Sequence, residues 1–389
     1  MKDFPLTIHV KFKYCNKEES IMSTEIDPNK VLLLSDEVTD AWKVCVLDGV
    51  YYGENEYNGS LGARISAVFV IFFVSTFFTL FPLAVQRIPA LKVPWYVYAF
   101  ARYFGTGVIV ATAFIHLMDP AYGEIGPNTC VGMTGNWAIY SWCPAIILTS
   151  AVFIFLVDVI CGVYVERKFN VTNSHNSNVE DLIVRKEVMF SAPVQYESGK
   201  LESLLELKYN IGESSHSVTN SELTAEFEAQ FGAFLILEFG IIFHSVMIGL
   251  NLGSTGDEFK VLYIVLVFHQ TFEGLGIGAR LSAIPFPDDK PKWIPWACCV
   301  AYGLVTPIST AIGIGVRYTY MSNSYNANIV LGVLDAISAG ILIYTGMVEL
   351  LARDFIFNPE RSTDLIKLTL KLIFTLVGAG VMALLGKWA

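Results

Sequence analysis

IIFHSVMIGLNLG (241–253) and VLYIVLVFHQTFEGLGIGARL (261–281) lie in two consecutive segments of hydrocarbon-spanning length, each with a histidine near its middle. Ionisable side chains at that depth are costly and rare, face a bundle interior or a wet path, and mark a functional site by default. His269 and Glu273 are four residues apart, so a helix stacks them on one face. With His244 they offer two imidazoles and a carboxylate, the ligand set of Zn²⁺ and neighbouring divalent metals. Ser245 and Gln270, each next to a histidine, offer neutral oxygens that extend the coordination shell. The competing reading, a Glu–His hydrogen bond that only ties helices together, does not account for three such groups on consecutive spans.

Outward from these segments the chain is apolar in long runs. Of its 389 residues 53% are hydrophobic and 16% charged. A bilayer core of about 30 Å needs roughly 20 apolar residues per helix, and eight stretches qualify: about 61–86, 97–118, 144–165, 229–252, 260–282, 294–317, 328–351 and 365–386. The expected fold is an all-α polytopic membrane protein of eight transmembrane helices in a 3+5 arrangement. Residues 1–60 form an N-terminal segment, 61–165 carry spans one to three, 166–228 form a long polar loop, and 229–389 carry spans four to eight. The loop is rich in Ser, Asn and Glu, a composition that cannot bury a core. The net charge of −10 sits mostly in these solvated parts and gives no case for nucleic acid. No GxxxxGK[ST] motif suggests direct use of ATP.

Lysine and arginine gather in the loops after spans one, three, five and seven (Arg87, Lys92, Arg167, Lys168, Lys290, Lys292, Arg353, Arg361) and are sparse in the others. By the positive-inside rule the 166–228 loop is cytosolic and both termini are extracellular. The first 30 residues lack a signal-peptide core, so the first span is expected to direct insertion. Cys15, Cys45, Cys130 and Cys143 then lie on the oxidising side, and Cys130 with Cys143 is the expected disulfide, closing the loop after span two. Cys161, Cys298 and Cys299 fall in spans as packing residues. Gly249 with Gly253, and Gly274 with Gly278, have the spacing that lets helices approach closely. Asp158, Glu238 and Asp335 read as helix–helix hydrogen-bonding groups.

HSVMIGLNLG followed by HQTFEGLGIGARL resembles the paired signature of the ZIP (Zrt/Irt-like) divalent-metal transporters, nearest to their plant and fungal zinc transporters. YNGSLGARISAVFV, FGTGVIVATAFIHLMDPA and LDAISAGILIYTGMVELLARDF agree with it in spans one, two and seven, and the resemblance covers residues 56 to 389. It implies an eight-helix fold with outward termini, a homodimeric state as the common family assembly, and a site between spans four and five with His244, His269 and Glu273 as primary ligands. Zn²⁺ is then the transported substrate and not a cofactor. Some relatives carry further acidic or amide residues where this chain has Ile248, Ser245 and Gln270, which argues against a second tightly held metal and tilts the choice toward Zn²⁺. His116 and Asp119 are expected to gather metal at the outer end of span two, and Glu349 to serve release at the inner end of span seven. His175 and His216 in the long loop are too scattered for a metal buffer.

The expected function is Zn²⁺ import into the cytosol across the plasma membrane. Two other classes are weighed against it. An intramembrane zinc hydrolase would show HExxH, with Glu as general base beside the first histidine, whereas HQTFE has Gln there. A non-transporting metal receptor would share the same site and is separated from a carrier only by measuring uptake.

Overall fold

The computed structural model describes residues 39–50, 57–88, 93–169, 220–319, 321, 323–357 and 364–387. Among them there is no strand, and eight helices are long and apolar enough to cross a membrane: Leu61–Arg87, Trp95–Ile125, Trp142–Phe169, Leu223–Ser254, Phe259–Ala283, Ile294–Val316, Tyr325–Phe357 and Leu365–Leu385. These are the eight spans expected from the apolar runs. His175, His216 and Cys15 lie outside the described residues. Two compact units are distinguishable, one of residues 1–157, 233–284 and 291–389, the other of 158–232 and 285–290. In the smaller, Phe227, Phe231 and Phe286 form an aromatic cluster, and Lys168 pairs with Glu228 at 2.8 Å.

The larger unit holds the buried polar groups. Its helices approach closely where glycine removes the side chain. A Cβ on Gly278 would meet Thr79 O at 2.0 Å, and one on Gly105 would meet the α-carbon of Gly276 at 2.1 Å, so spans one and two both lie against the backbone of span five. Gly249 and Gly253 do the same for span four against Thr306, Ser309 and Gly313 of span six. Small residues at such contacts replace the hydrophobic driving force that lipid removes.

Arg64 at the start of span one is fully buried and closes the end of span four. Its guanidinium donates to Gly59 O at 2.9 Å, Leu252 O at 3.1 Å and Gly253 O at 3.2 Å, and to Thr255 O, while Phe259 lies under it. A helix C-terminus leaves carbonyls without partners and carries partial negative charge, so a buried cation there satisfies both. Arg64→Ala is expected to strand several buried acceptors at about 1–3 kcal/mol each. Surface biotinylation should then find little protein at the cell surface, and Arg64→Lys should rescue only part of it.

Asn58, the acceptor of an Asn-Gly-Ser sequon, donates to Asp257 Oδ1 at 2.6 Å and accepts from Arg64, so its amide is committed within the fold.

The disulfide differs from expectation. Cys130 bonds Cys45, on the short helix Asp40–Leu47, and not Cys143. Cys143 is buried in an apolar cluster with Ala121, Ile125, Val131 and Ala336, whereas Cys130 lies against Cys45 and Val50 in another. Spacing in the sequence suggested the short closure, and burial in separate clusters decides the long one. Non-reducing peptide mapping should find Cys45 linked to Cys130 and Cys143 as a thiol. Cys45→Ser should cost about 2–4 kcal/mol of stability.

Candidate metal centre

Span five folds as a helix through His269, Gln270 and Glu273, and all three are buried to 1% exposure or less. His244 and Ser245 of span four are equally enclosed, at 2% and 1%. The rings of His244 and His269 lie 5.4 Å apart, and His269 Nε2 is 3.6 Å from Glu273 Oε2, beyond a hydrogen bond. His244 and His269 thus lie ring to ring, and Glu273 stands beside His269.

A fourth group joins them. His116 was expected to stand apart at the mouth of the path, yet its ring centroid is 5.0 Å from that of His269. The reason is local: Thr112–Met118 winds as a π-helix, which changes the face that each later residue of span two presents. His116 Nε2 lies 3.1 Å from Met382 O on span eight. A carbonyl only accepts, so Nε2 carries the proton and Nδ1 is the nitrogen able to bind a cation. Asp119, one turn on, is exposed and lines the cavity that His116 also lines.

Imidazoles whose nitrogens sit about 2.0–2.1 Å from one tetrahedral ion have centroids about 5 Å apart. The spacing of His116, His269 and His244 matches that, although among the described residues no three His, Cys, Asp or Glu side chains converge on a single point as they stand. Binding therefore requires the side chains to turn. Four atoms able to ligate have no competing bond to break: His244 Nε2, His269 Nε2, Glu273 Oε1 and Ser245 Oγ are buried without a hydrogen-bond partner. Buried polar groups are normally paired, and these unpaired atoms on two neighbouring spans set the region apart.

Tyr302 of span six, which the sequence reading missed, donates to Glu273 Oε2 at 3.0 Å and lies 3.5 Å from Gln270 Oε1. It holds one carboxylate oxygen and leaves the other free. A tyrosine in the middle of an apolar span needs a partner for its hydroxyl, and that was the available signal.

A cavity of about 430 Å³ leads to these groups. His116, His244 and His269 line it, with Met247, Asn251 and Leu266, and so do Asp119, Glu258 and Asn323. Gln270 and Glu273 are not among its lining residues. At the opposite end of the larger unit, Asp354 of span seven receives Arg102 of span two at 2.7 Å and Arg280 of span five at 3.4 Å. Glu349, expected to serve metal release, pairs with Arg353 at 2.5 Å, while its carbonyl accepts from Arg280. Glu238 and Asp335, read from the sequence as helix–helix hydrogen-bonding groups, each leave a buried oxygen without a partner.

Comparison with known proteins fits this geometry. The family described as ZIP zinc transporter matches residues 61–386. Zinc-regulated transporter 1 of Saccharomyces cerevisiae is 62% identical over 93% of this chain and 97% of its own length. The protein of the same name from Schizosaccharomyces pombe is 41% identical, over 86% of this chain and 88% of its own. Zinc transporter 3 of Arabidopsis thaliana is 31% identical over the same shares of the two chains.

Proposed function

The chain belongs to the ZIP zinc transporter family, and on that premise we propose that it imports Zn²⁺ into the cytosol through a site made by His244, His269 and Glu273, with His116 beside them. One observation carries this reading: three imidazoles line one cavity, and a buried carboxylate with a free oxygen stands one helical turn from His269. The imidazoles replace water on a borderline cation, and Glu273 supplies charge against the dication that a dry site needs. Ser245 and Gln270 sit close enough in sequence to complete the shell. The transported metal and the protein need each other, since the ion offsets the cost of burying the carboxylate.

Two independent features support the cavity as the extracellular mouth. It opens at the end that carries the loops after spans two, four and six, the loops poor in Lys and Arg. The Cys45–Cys130 disulfide ties the loop after span two to the N-terminal segment, and disulfides persist on the oxidising side of a membrane. On this reading the termini lie outside, residues 166–228 lie in the cytosol, and the protein works at the plasma membrane, with a homodimer as the family's common state. An intramembrane hydrolase is disfavoured because Gln270 stands where a general base would, and a receptor that binds without moving zinc is the reading that uptake excludes.

The test is ⁶⁵Zn²⁺ uptake in a cell deficient in zinc import, with competing Fe²⁺, Mn²⁺, Co²⁺ and Cd²⁺. Saturable uptake that depends on this chain and is displaced by zinc ahead of iron and manganese is expected. Surface protein with no uptake above the deficient cell would refute import.

A further inference from the structure

Four carboxyl groups line the cavity, those of Asp119, Glu124, Glu258 and Asp335, and among the described residues no lysine or arginine does. Two of them are not surface groups. Asp335 of span seven is 7% exposed, and its Oδ1 is buried without a hydrogen-bond partner. Glu124, in the last turn of span two, has a buried Oε2 in the same condition. The helices bring them together at Gly332, where a Cβ would meet Ile125 Cγ2 at 2.7 Å and Glu124 Cβ at 3.2 Å. Asp335 follows one turn later on span seven.

Two carboxyl groups on neighbouring helices, facing one cavity and each with a buried oxygen that lacks a donor, pay a desolvation cost that nothing in the protein offsets. We propose that Glu124 and Asp335 form a second binding station for a divalent cation, in the vestibule ahead of the histidine site. Carboxylate oxygens are hard ligands, and two of them leave most of a cation's hydration in place. Such a station holds the ion loosely and strips part of its water. The ion then passes to the imidazoles around His116, eight residues back along span two. Charge of one sign lining a cleft also raises the local cation concentration. This station rests on the reading of the cavity as the zinc path.

The test uses the full-length protein. With His244→Ala and His269→Ala in place to disable the histidine site, equilibrium binding of ⁶⁵Zn²⁺ to purified protein should retain one weak site, and adding Glu124→Gln and Asp335→Asn should remove it. In cells, with the histidines intact and surface abundance matched, Glu124→Gln/Asp335→Asn should raise KM for zinc several-fold while the maximal rate falls much less. Zinc binding in the histidine-disabled protein that is indifferent to Glu124 and Asp335, or a KM within about twofold of the parent, overturns the station. Uptake that survives loss of His244 and His269 would instead overturn the histidine site, so the two failures are distinguishable.

Discussion

Glu273→Gln should reach the cell surface at parental abundance and move zinc at least about tenfold to a hundredfold more slowly, since even partners outside the metal's own ligand shell are worth that much. The substitution keeps the size of the side chain and leaves an amide oxygen able to accept from Tyr302, now 3.0 Å from Glu273 Oε2. What it deletes is the negative charge. In a site where His244, His269 and Glu273 are all at most 2% exposed, little solvent remains to screen a dication, so the carboxylate carries much of the compensation. Tyr302→Phe is the companion variant. It frees Glu273 Oε2 and leaves the charge in place, so its loss should be small beside that of Glu273→Gln. Parental uptake by a surface-expressed Glu273→Gln protein would rule out the carboxylate as a ligand. An equal loss in both variants would mean that position, and not charge, is what Glu273 contributes.

The eight spans were legible because a helix in lipid must be apolar for its whole length, and runs of that kind have no other use in a chain of this size. His244, His269 and Glu273 were legible for the converse reason, since each breaks such a run at a cost. Where a residue meets another helix was less readable. His116 was recognised as unusual, but its place beside His269 depends on the π-helical turn at Thr112–Met118, which no pattern in the sequence announces. Glu124 lies in the polar end of span two and resembles an ordinary boundary residue until span seven is packed against it at Gly332. Glu349 is a different case. Its partner Arg353 stands four residues on, a helical pairing readable from the letters alone, and the expectation of a release site passed over it. The cysteines show the limit most simply, because four of them allow three complete pairings and only the fold brings Cys45 to Cys130.

Asp354→Ala should be the most destabilising single change at the end of the bundle away from the cavity. The Asp354 side chain is 4% exposed and takes two guanidiniums, from Arg102 and Arg280, whose side chains are 25% and 17% exposed. Its removal leaves two partly buried cations facing each other. Breaking a buried pair by deleting one partner costs about 3–5 kcal/mol, and the partial exposure of both arginines places this case near the lower figure. Glu349→Gln serves as the contrast, because Arg353 is 42% exposed and an exposed pair is worth about 0–1 kcal/mol. Purified Asp354→Ala protein should melt well below the parent, with Glu349→Gln close to it. The placement gives this cluster a second consequence. Arg280 belongs to span five, which carries His269 and Glu273, whereas Asp354 and Arg102 belong to spans seven and two. If zinc leaves at this end, span five must release Asp354 for the path to open there. Arg280→Ala keeps Asp354 paired with Arg102 and so should spare stability more than Asp354→Ala does, while favouring the state open toward the arginines. Cysteine accessibility measured with a membrane-impermeant thiol reagent at position 251, in the cavity, should fall in Arg280→Ala relative to the parent. Unchanged labelling with unchanged uptake would reduce the cluster to a structural tie.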